Sequence, residues 1–137
     1  MRRYLLDTGC AGDYVSKRFG VDKRAREVVT LGNRVGICVP VLGELFAAIE
    51  LSETRDRNRK RLIRALFDLT LWPFDRDAAE NYGRLFALLR QSGRPMQQVD
   101  IQIAAVALSL GNCTVVTKDN DFAAIPGLSV ENWSVSK

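Results

Sequence analysis

The 137-residue sequence contains no histidine, three cysteines and four prolines. Without histidine, the chain cannot build a Ser-His-Asp or Cys-His triad or use an imidazole as a general acid or base. Cys10, Cys38 and Cys113 are far apart and odd in number, so neither a disulfide framework nor a CxxC zinc cluster fits. We therefore expect a reducing cytoplasm as the setting and catalysis, if any, by carboxylates, hydroxyls, lysine or a metal ion.

Long hydrophobic runs are also missing. The longest apolar run, IAAVALSL at 103–110, is far shorter than the roughly 20 residues that span a bilayer. Met1-Arg2-Arg3 leads into only a short apolar segment, so neither a membrane span nor a cleaved signal is expected. With 47% apolar and 26% charged residues and no repeat or linker-like stretch, the sequence predicts a single domain over residues 1–137.

Positive charge is concentrated in the first half of the chain. Residues 1–64 carry a net charge of +6 and residues 65–137 one of −2, within an overall +4. Six basic residues crowd one ten-residue stretch: Arg55, Arg57, Arg59, Lys60, Arg61 and Arg64. Such a cluster indicates a polyanionic partner, and a solvated helix face is the alternative interpretation.

Short β-type runs alternate with longer stretches of helical spacing. The runs are Tyr4 to Leu6, Val35 to Val39, Leu69 to Trp72, Thr114 to Val116 and Leu128 to Val130. The helical stretches are Leu42 to Leu51, Arg57 to Leu66, Ala78 to Leu89 and Val99 to Leu110. In the third, Tyr82, Leu85, Leu88 and Leu89 predict one apolar face. This alternation predicts an α/β fold in three layers, with helices on both faces of a mainly parallel sheet.

Acidic residues fall where such a fold places its ligand sites, just after strands or at the start of the next helix. Asp7 ends the first run, Glu44 follows the second, Asp100 opens the last helix, and Asp119 and Asp121 follow the run ending at Val116. The positions that share a helical face with Asp100 (103, 104 and 107) and with Glu44 (47, 48 and 51) are all apolar, which predicts that both carboxylates face the core.

A lone ionised carboxylate in such a place costs several kcal/mol (order of magnitude) unless a counter-charge is present. A divalent cation shared by several carboxylates would supply it, and an all-oxygen site suits Mg²⁺ or Mn²⁺. Structural roles are the alternatives. Asp100 could cap its helix, Glu44 could favour a helix's positive end, and Asp119 and Asp121 could form Asx turns.

The tripeptide Asp7-Thr8-Gly9 also occurs in the active-site loop of aspartic proteases, but those are all-β proteins, unlike this helix-patterned chain. A phosphoacceptor domain is a second rival, with Asp7 as acceptor and Thr117-Lys118 near the phosphoryl group. The sequence lacks the adjacent acidic pair that such a domain needs near the end of its first strand.

The ordered set of motifs resembles the PIN-domain ribonucleases, most closely the VapC-type toxins of bacterial toxin-antitoxin pairs. The resemblance rests on acidic motifs in order along nearly the whole chain: YLLDT at 4–8, VPVLGEL at 39–45, DIQIAA at 100–105 and TKDNDF at 117–122. PFD at 73–75, YGRL at 82–85, GRP at 93–95, PGL at 126–128 and VENW at 130–133 also resemble family segments. Gly9 stands where asparagine or another small polar residue is usual, and Asp13 where an apolar residue is more common.

The resemblance implies a PIN-like fold and a metal-dependent endoribonuclease. We expect Asp7 and Asp100 to bind the principal Mg²⁺ or Mn²⁺, Asp119 to complete the cluster, and Glu44 to orient the water or a second ion. Thr117, and Thr8 less directly, would hydrogen-bond a carboxylate or phosphate. Asp119 is preferred over Asp121 as the fourth acidic ligand, because its offset from Thr117 fits the family better. Lys118, Arg57 and Arg61 are the predicted RNA contacts.

The implied partners are an RNA substrate, a small VapB-like antitoxin that blocks the site, often with an arginine, and a second copy in a homodimer. DNA would be contacted only through the antitoxin, and no membrane is expected. Residues 53–64 could instead serve as the docking helices of the antitoxin. A PIN-like binding module without catalysis, which docks to nucleic acid or protein, is the alternative from another functional class.

Overall fold

The computed structural model describes residues 1–135, which form a five-stranded parallel sheet flanked by helices. The strands are β1 (Arg3–Leu6), β2 (Arg34–Cys38), β3 (Thr70–Trp72), β4 (Cys113–Val116) and β5 (Ser129–Glu131). They lie in the order β3-β2-β1-β4-β5, and each neighbouring pair is parallel. The predicted three-layer α/β/α fold and all five predicted strands are therefore confirmed, although Val39 begins a helix instead of ending β2.

Six α-helices and one 3-10 helix connect these strands within residues 1–135. The α-helices are α1 (Thr8–Ser16), α2 (Val21–Thr30), α3 (Val39–Glu50), α4 (Arg55–Leu66), α5 (Arg76–Gln91) and α6 (Gln98–Leu110). The 3-10 helix covers Asn120–Ala124. The four predicted helices are confirmed as α3 to α6, with shifts at their ends. Gly93 and Gly111, just beyond α5 and α6, have positive φ angles of 69° and 70°, as glycines after helix ends often do.

Helices α1 and α2 were not predicted from the sequence. Gly9 and Gly12 lie inside α1 and lower its helix propensity, so its best signal is Asp7, which caps the first turn. Half of the residues in helix α2 are charged, and its buried apolar stripe consists of Val21, Ala25 and Val28 alone. Their spacing of four and three residues is a helical signal, but it is weak because few apolar residues carry it.

The middle of the sheet forms the core. All four residues of β4 are buried, and Leu5, Leu6 and Ile37 of the neighbouring strands have no exposed surface. Continuous burial is expected for parallel strands that are covered by helices on both faces. Across residues 1–135, no helix is both long and apolar enough to cross a membrane. The three cysteines are buried and free of disulfides.

Two features show how tertiary packing modifies the sequence pattern. On α5, Leu85 and Leu89 are buried but Leu88 is 42% exposed, so the predicted apolar face is narrower than its leucines suggest. On β2, a Cβ atom at Gly36 would lie 2.0 Å from the carbonyl oxygen of Thr70. Only glycine lets β3 approach β2 this closely, which secures that edge of the sheet.

Candidate active site at the carboxyl edge of the sheet

The strand order reverses at β1, which has β2 on one side and β4 on the other. In parallel α/β folds the crevice for a ligand opens at such a point, beyond the carboxyl ends of the strands. Asp7 directly follows β1 and Thr117 directly follows β4. The backbone N–H of Asp7 donates to the carbonyl of Val116 at 3.0 Å, so the two strand ends are joined.

Asp7 occupies the N-cap of α1. Its Oδ1 accepts a hydrogen bond from the backbone N–H of Cys10 at 2.8 Å, and its Oδ2 accepts one from the hydroxyl of Thr117 at 2.5 Å. The N-terminus of a helix favours a negative charge at this position. Both oxygens of Asp7 are therefore oriented by bonds to two different elements.

Thr117 is 2% exposed and connects Asp7 to the next acidic segment. Its Oγ1 also accepts from the backbone N–H of Asp119 at 2.9 Å, and Oδ1 of Asp119 accepts from the backbone N–H of Asp121 at 2.9 Å. The second bond forms an Asx turn, which is the structural role expected for this segment as the alternative to metal binding. Asp119 is nevertheless tied through Thr117 to Asp7, so the turn also brings its carboxylate to the site.

Asp100 lies in the first turn of α6 and is half-buried. The residues on its helical face, Ile103, Ala104 and Ala107, are buried as predicted. The N-cap of α6 is Gln97, so the capping alternative for Asp100 is wrong. Burial, and then the nearby charges of Asp7, Asp119, Glu44 and Asp121, raise the pKa of Asp100 from 3.8 to about 6. Asp100 therefore lies within electrostatic reach of every other acidic residue in the predicted set.

The environment predicted for Glu44 is wrong. Helix α3 begins at Val39, so Glu44 lies in the second turn, and its side chain and those of Ala47 and Ala48 are exposed. The buried residues of α3 are instead Val41 and Ile49. Because both faces of this helix carry apolar residues, the sequence does not show which face packs against the core. Glu44 is still held at the site, because its Oε1 accepts a hydrogen bond from the hydroxyl of Thr8 at 2.6 Å.

Cys10 lies in the first turn of α1 and is buried. Burial, followed by the charge of Asp7 and a hydrogen bond with it, raises the pKa of the Cys10 thiol to about 12. The thiol stays protonated at neutral pH, and a protonated thiol is a poor nucleophile. The chemistry of this edge therefore rests on carboxylates and hydroxyls.

The three predicted RNA contacts have different environments. Lys118 forms an ion pair with Asp13, with 3.2 Å between Nζ and Oδ2, that was not predicted from the sequence. Arg57 and Arg61 are exposed on α4, whose only buried residue is Leu62. Arg61 also lines a groove of about 820 Å³ between α1, α2 and α4.

The donors at this edge suit a hard divalent cation, because they are carboxylate and hydroxyl oxygens without histidine or thiolate. Within residues 1–135, no three acidic or cysteine side chains already form a group that could hold an ion. The suitability of this edge for a divalent cation therefore rests on the chemistry of the donors and on the excess of negative charge around Asp100. A cation would compensate that excess.

The fold and this edge define a parallel α/β protein whose candidate site consists of carboxylates and hydroxyls at the strand-order reversal. The sequence matches the PIN domain family over residues 4–128. The chain belongs to the PIN-domain family.

Three known proteins show how similar the chain is to VapC-type members. It is 36% identical to Ribonuclease VapC5 of Mycobacterium tuberculosis over 76% of this chain and 78% of that protein. It is 30% identical to the tRNA(fMet)-specific endonuclease VapC of Shigella flexneri over 98% of this chain and 100% of that protein. The structure of VapBC2 from Rickettsia felis, bound to a DNA fragment from its promoter, superposes with a TM-score of 0.88 and 28% identity, covering 96% of this chain and 99% of that one.

Proposed function

We propose that this chain is an endoribonuclease of the VapC type that hydrolyses RNA phosphodiester bonds with a carboxylate-bound Mg²⁺ or Mn²⁺. The observation that carries the proposal is the gathering of four further carboxylates around Asp100 at the strand-order reversal. An unused site would be more stable without such like charges in a half-buried place. The relatives named as ribonucleases support the same conclusion.

Each residue has a distinct task in the proposed reaction. Asp7 and Asp100 would hold the principal cation, with Asp119 completing the set and Glu44 orienting the attacking water or a second ion. When bound, the cation would lower the pKa of water and stabilise negative charge on the phosphate. Thr117 and Thr8 keep two of the carboxylates in fixed orientations through their hydrogen bonds.

RNA binding is assigned to the exposed arginines of α4, among them Arg57 and Arg61. The similarity to a tRNA(fMet)-specific endonuclease supports a structured RNA such as tRNA as the substrate class. Because phosphate contacts dominate such binding, cleavage should weaken as the salt concentration rises.

The chain would act as the toxin of a toxin-antitoxin pair in the cytoplasm, with a small VapB-like antitoxin as partner. The similarity to VapBC2, solved with a fragment of promoter DNA, supports this role. Contact with DNA is proposed to occur only through the antitoxin. A homodimer is proposed as well. Exposed apolar side chains such as Leu51 and Phe67, at 88% and 86% exposure, are available for contacts with protein partners.

Cleavage of a total-RNA pool by purified, antitoxin-free protein tests the activity. Reactions contain Mg²⁺, Mn²⁺ or EDTA, and Asp100→Asn is compared with Asp77→Asn, a change in the first turn of α5. We expect discrete, metal-dependent fragments from wild type and Asp77→Asn and none from Asp100→Asn. Folded wild-type protein that cleaves no RNA and binds no metal would contradict the proposal and favour the binding module.

A further inference from the structure

Asp13 is a charged residue in a nearly closed environment. It lies in α1, and its side chain is 12% exposed. Its Oδ2 accepts a hydrogen bond from Nζ of Lys118 at 3.2 Å. Because a buried carboxylate without a counter-charge costs several kcal/mol (order of magnitude), Lys118 is the partner that makes Asp13 tolerable at this position.

Lys118 lies between Thr117 and Asp119, the two residues that link the end of β4 to the candidate site. The preceding residue, Thr117, bonds Oδ2 of Asp7, and the following residue, Asp119, donates its backbone N–H to Thr117. Asp7 caps α1 and Asp13 lies within the same helix. Two contacts therefore join the turn at 117–119 to α1. Thr117 bonds Asp7, the N-cap of the helix, and Lys118 bonds Asp13 within the helix.

Phe19 adds a third component to the pair. The ammonium of Lys118 lies 5.0 Å from the centroid of its ring, a cation–π distance. The backbone of Phe19 has φ of 56°, in the left-handed region that a bulky residue rarely adopts. The ammonium of Lys118 therefore lies against the ring of Phe19 as well as the carboxylate of Asp13.

We infer that the Asp13–Lys118 ion pair is a positioning device that holds the turn at 117–119 and thereby fixes the carboxylate of Asp119 in the acidic site. Lys118 is thus a positioning residue. The inference rests on the proposed function in one respect, since its consequence for metal binding presumes that Asp119 is a ligand.

The chain offers a matched control for this pair. Asp22, in α2, is equally buried, with a side chain 11% exposed, and it is paired with Arg26 at 3.3 Å. The Asp22–Arg26 pair therefore resembles the Asp13–Lys118 pair in length and in the burial of its acid. Among the residues that the structure describes, neither Asp22 nor Arg26 forms a side-chain hydrogen bond or an ion pair with residues 117–121. Asp22→Asn should reproduce the general cost of losing such a pair without moving Asp119.

The first readout needs no metal. In EDTA, we expect the backbone amides of Asp119 and Asp121 to exchange with solvent about tenfold faster in Asp13→Asn and Lys118→Met than in wild type or Asp22→Asn. Lys118→Arg keeps the charge and should stay near wild type. The double variant Asp13→Asn/Lys118→Met leaves no unpaired charge, and serves if Lys118→Met alone does not fold.

The second readout is Mn²⁺ binding by calorimetry, in which the same two single variants should raise Kd by about tenfold and Asp22→Asn by less than about twofold. Equal exchange and equal Mn²⁺ affinity in Asp13→Asn and Asp22→Asn would overturn the inference. Wild type that binds no Mn²⁺ would refute the proposed metal dependence alone, since the exchange comparison would still decide the positioning role.

Discussion

The acidic edge of the sheet and the basic helix α4 each gather charge of one sign, but they are built in different ways. The edge takes its carboxylates from four separate parts of the chain, and half-burial together with like charges raises the pKa of Asp100. Helix α4 takes its cations from one consecutive stretch, and all six of them are exposed. Water and salt screen exposed charges more strongly than half-buried ones. Like charges therefore lower stability where the fold brings them together in a half-buried site, and they cost little where solvent surrounds them.

The largest effect should come from Asp7→Asn, which tests whether the edge is catalytic. Asparagine is as good an N-cap as aspartate, so stability should stay within about 1 kcal/mol. RNA cleavage should fall by at least about 100-fold, because the charge that would hold the cation is lost. Asp75→Asn is the matched control, since Asp75 caps α5 by accepting from Ala78 at 3.0 Å. Loss of cleavage in both variants, or in neither, would break the distinction between this edge and an ordinary helix cap.

Divalent metal should stabilise the protein through the same edge. Mn²⁺ at about 100 times its Kd should raise the free energy of unfolding by about 2.7 kcal/mol, as for any ligand that binds only the folded state. Thermal unfolding with and without Mn²⁺ measures this gain. Asp7→Asn should lose most of it and Asp75→Asn none. Equal stabilisation of both variants would place the metal elsewhere.

The cost of gathering carboxylates should appear in the pH dependence of metal-free protein. The pKa of Asp100 in the folded state, about 6, exceeds its ordinary 3.8, so folding favours the protonated form. Stability attributable to Asp100 is therefore full below about pH 4 and is lost as the pH rises through 6.

Asp100→Asn removes that loss. In EDTA at pH 7.5 it should be more stable than wild type by about 1 kcal/mol, well below the value for the full shift, because the half-exposed carboxyl is screened by solvent. Urea unfolding at pH 7.5 and 4.5 should show the gain shrinking at the lower pH. Asp77→Asn should show no such pattern, and a wild type that is more stable than Asp100→Asn at pH 7.5 would contradict the electrostatic account.

The smallest effects are expected on α4. In the inactive Asp100→Asn background, Arg57→Ala and Arg61→Ala should each weaken RNA binding by a few-fold and lower the slope of log K against log salt by about 0.7. Stability should change by less than about 0.5 kcal/mol, since both side chains are exposed. Filter binding across a salt series measures both quantities. Arg84→Ala on α5 is the control, and an equal effect there would mean that α4 has no special part in binding.

Much of this architecture can be predicted from local sequence. The five strands are short apolar runs, and the acidic residues at their ends indicate the site because parallel strands share one carboxyl edge. Helix α1 could not be predicted in the same way, because Gly9 and Gly12 lower its helix propensity. Its capping residue, Asp7, also directly follows the apolar run of β1, so it does not by itself indicate the start of a helix.

The amino-acid sequence establishes which chemical groups are available: carboxylates and hydroxyls without histidine, and a cluster of basic residues at 55–64. How these groups meet depends on the packing of the fold. Glu44 is exposed because α3 packs its other face against the core, and Lys118 is paired with Asp13, 105 residues away. Residue type and periodicity are local properties, whereas burial and the choice of a counter-charge depend on which distant segments pack together.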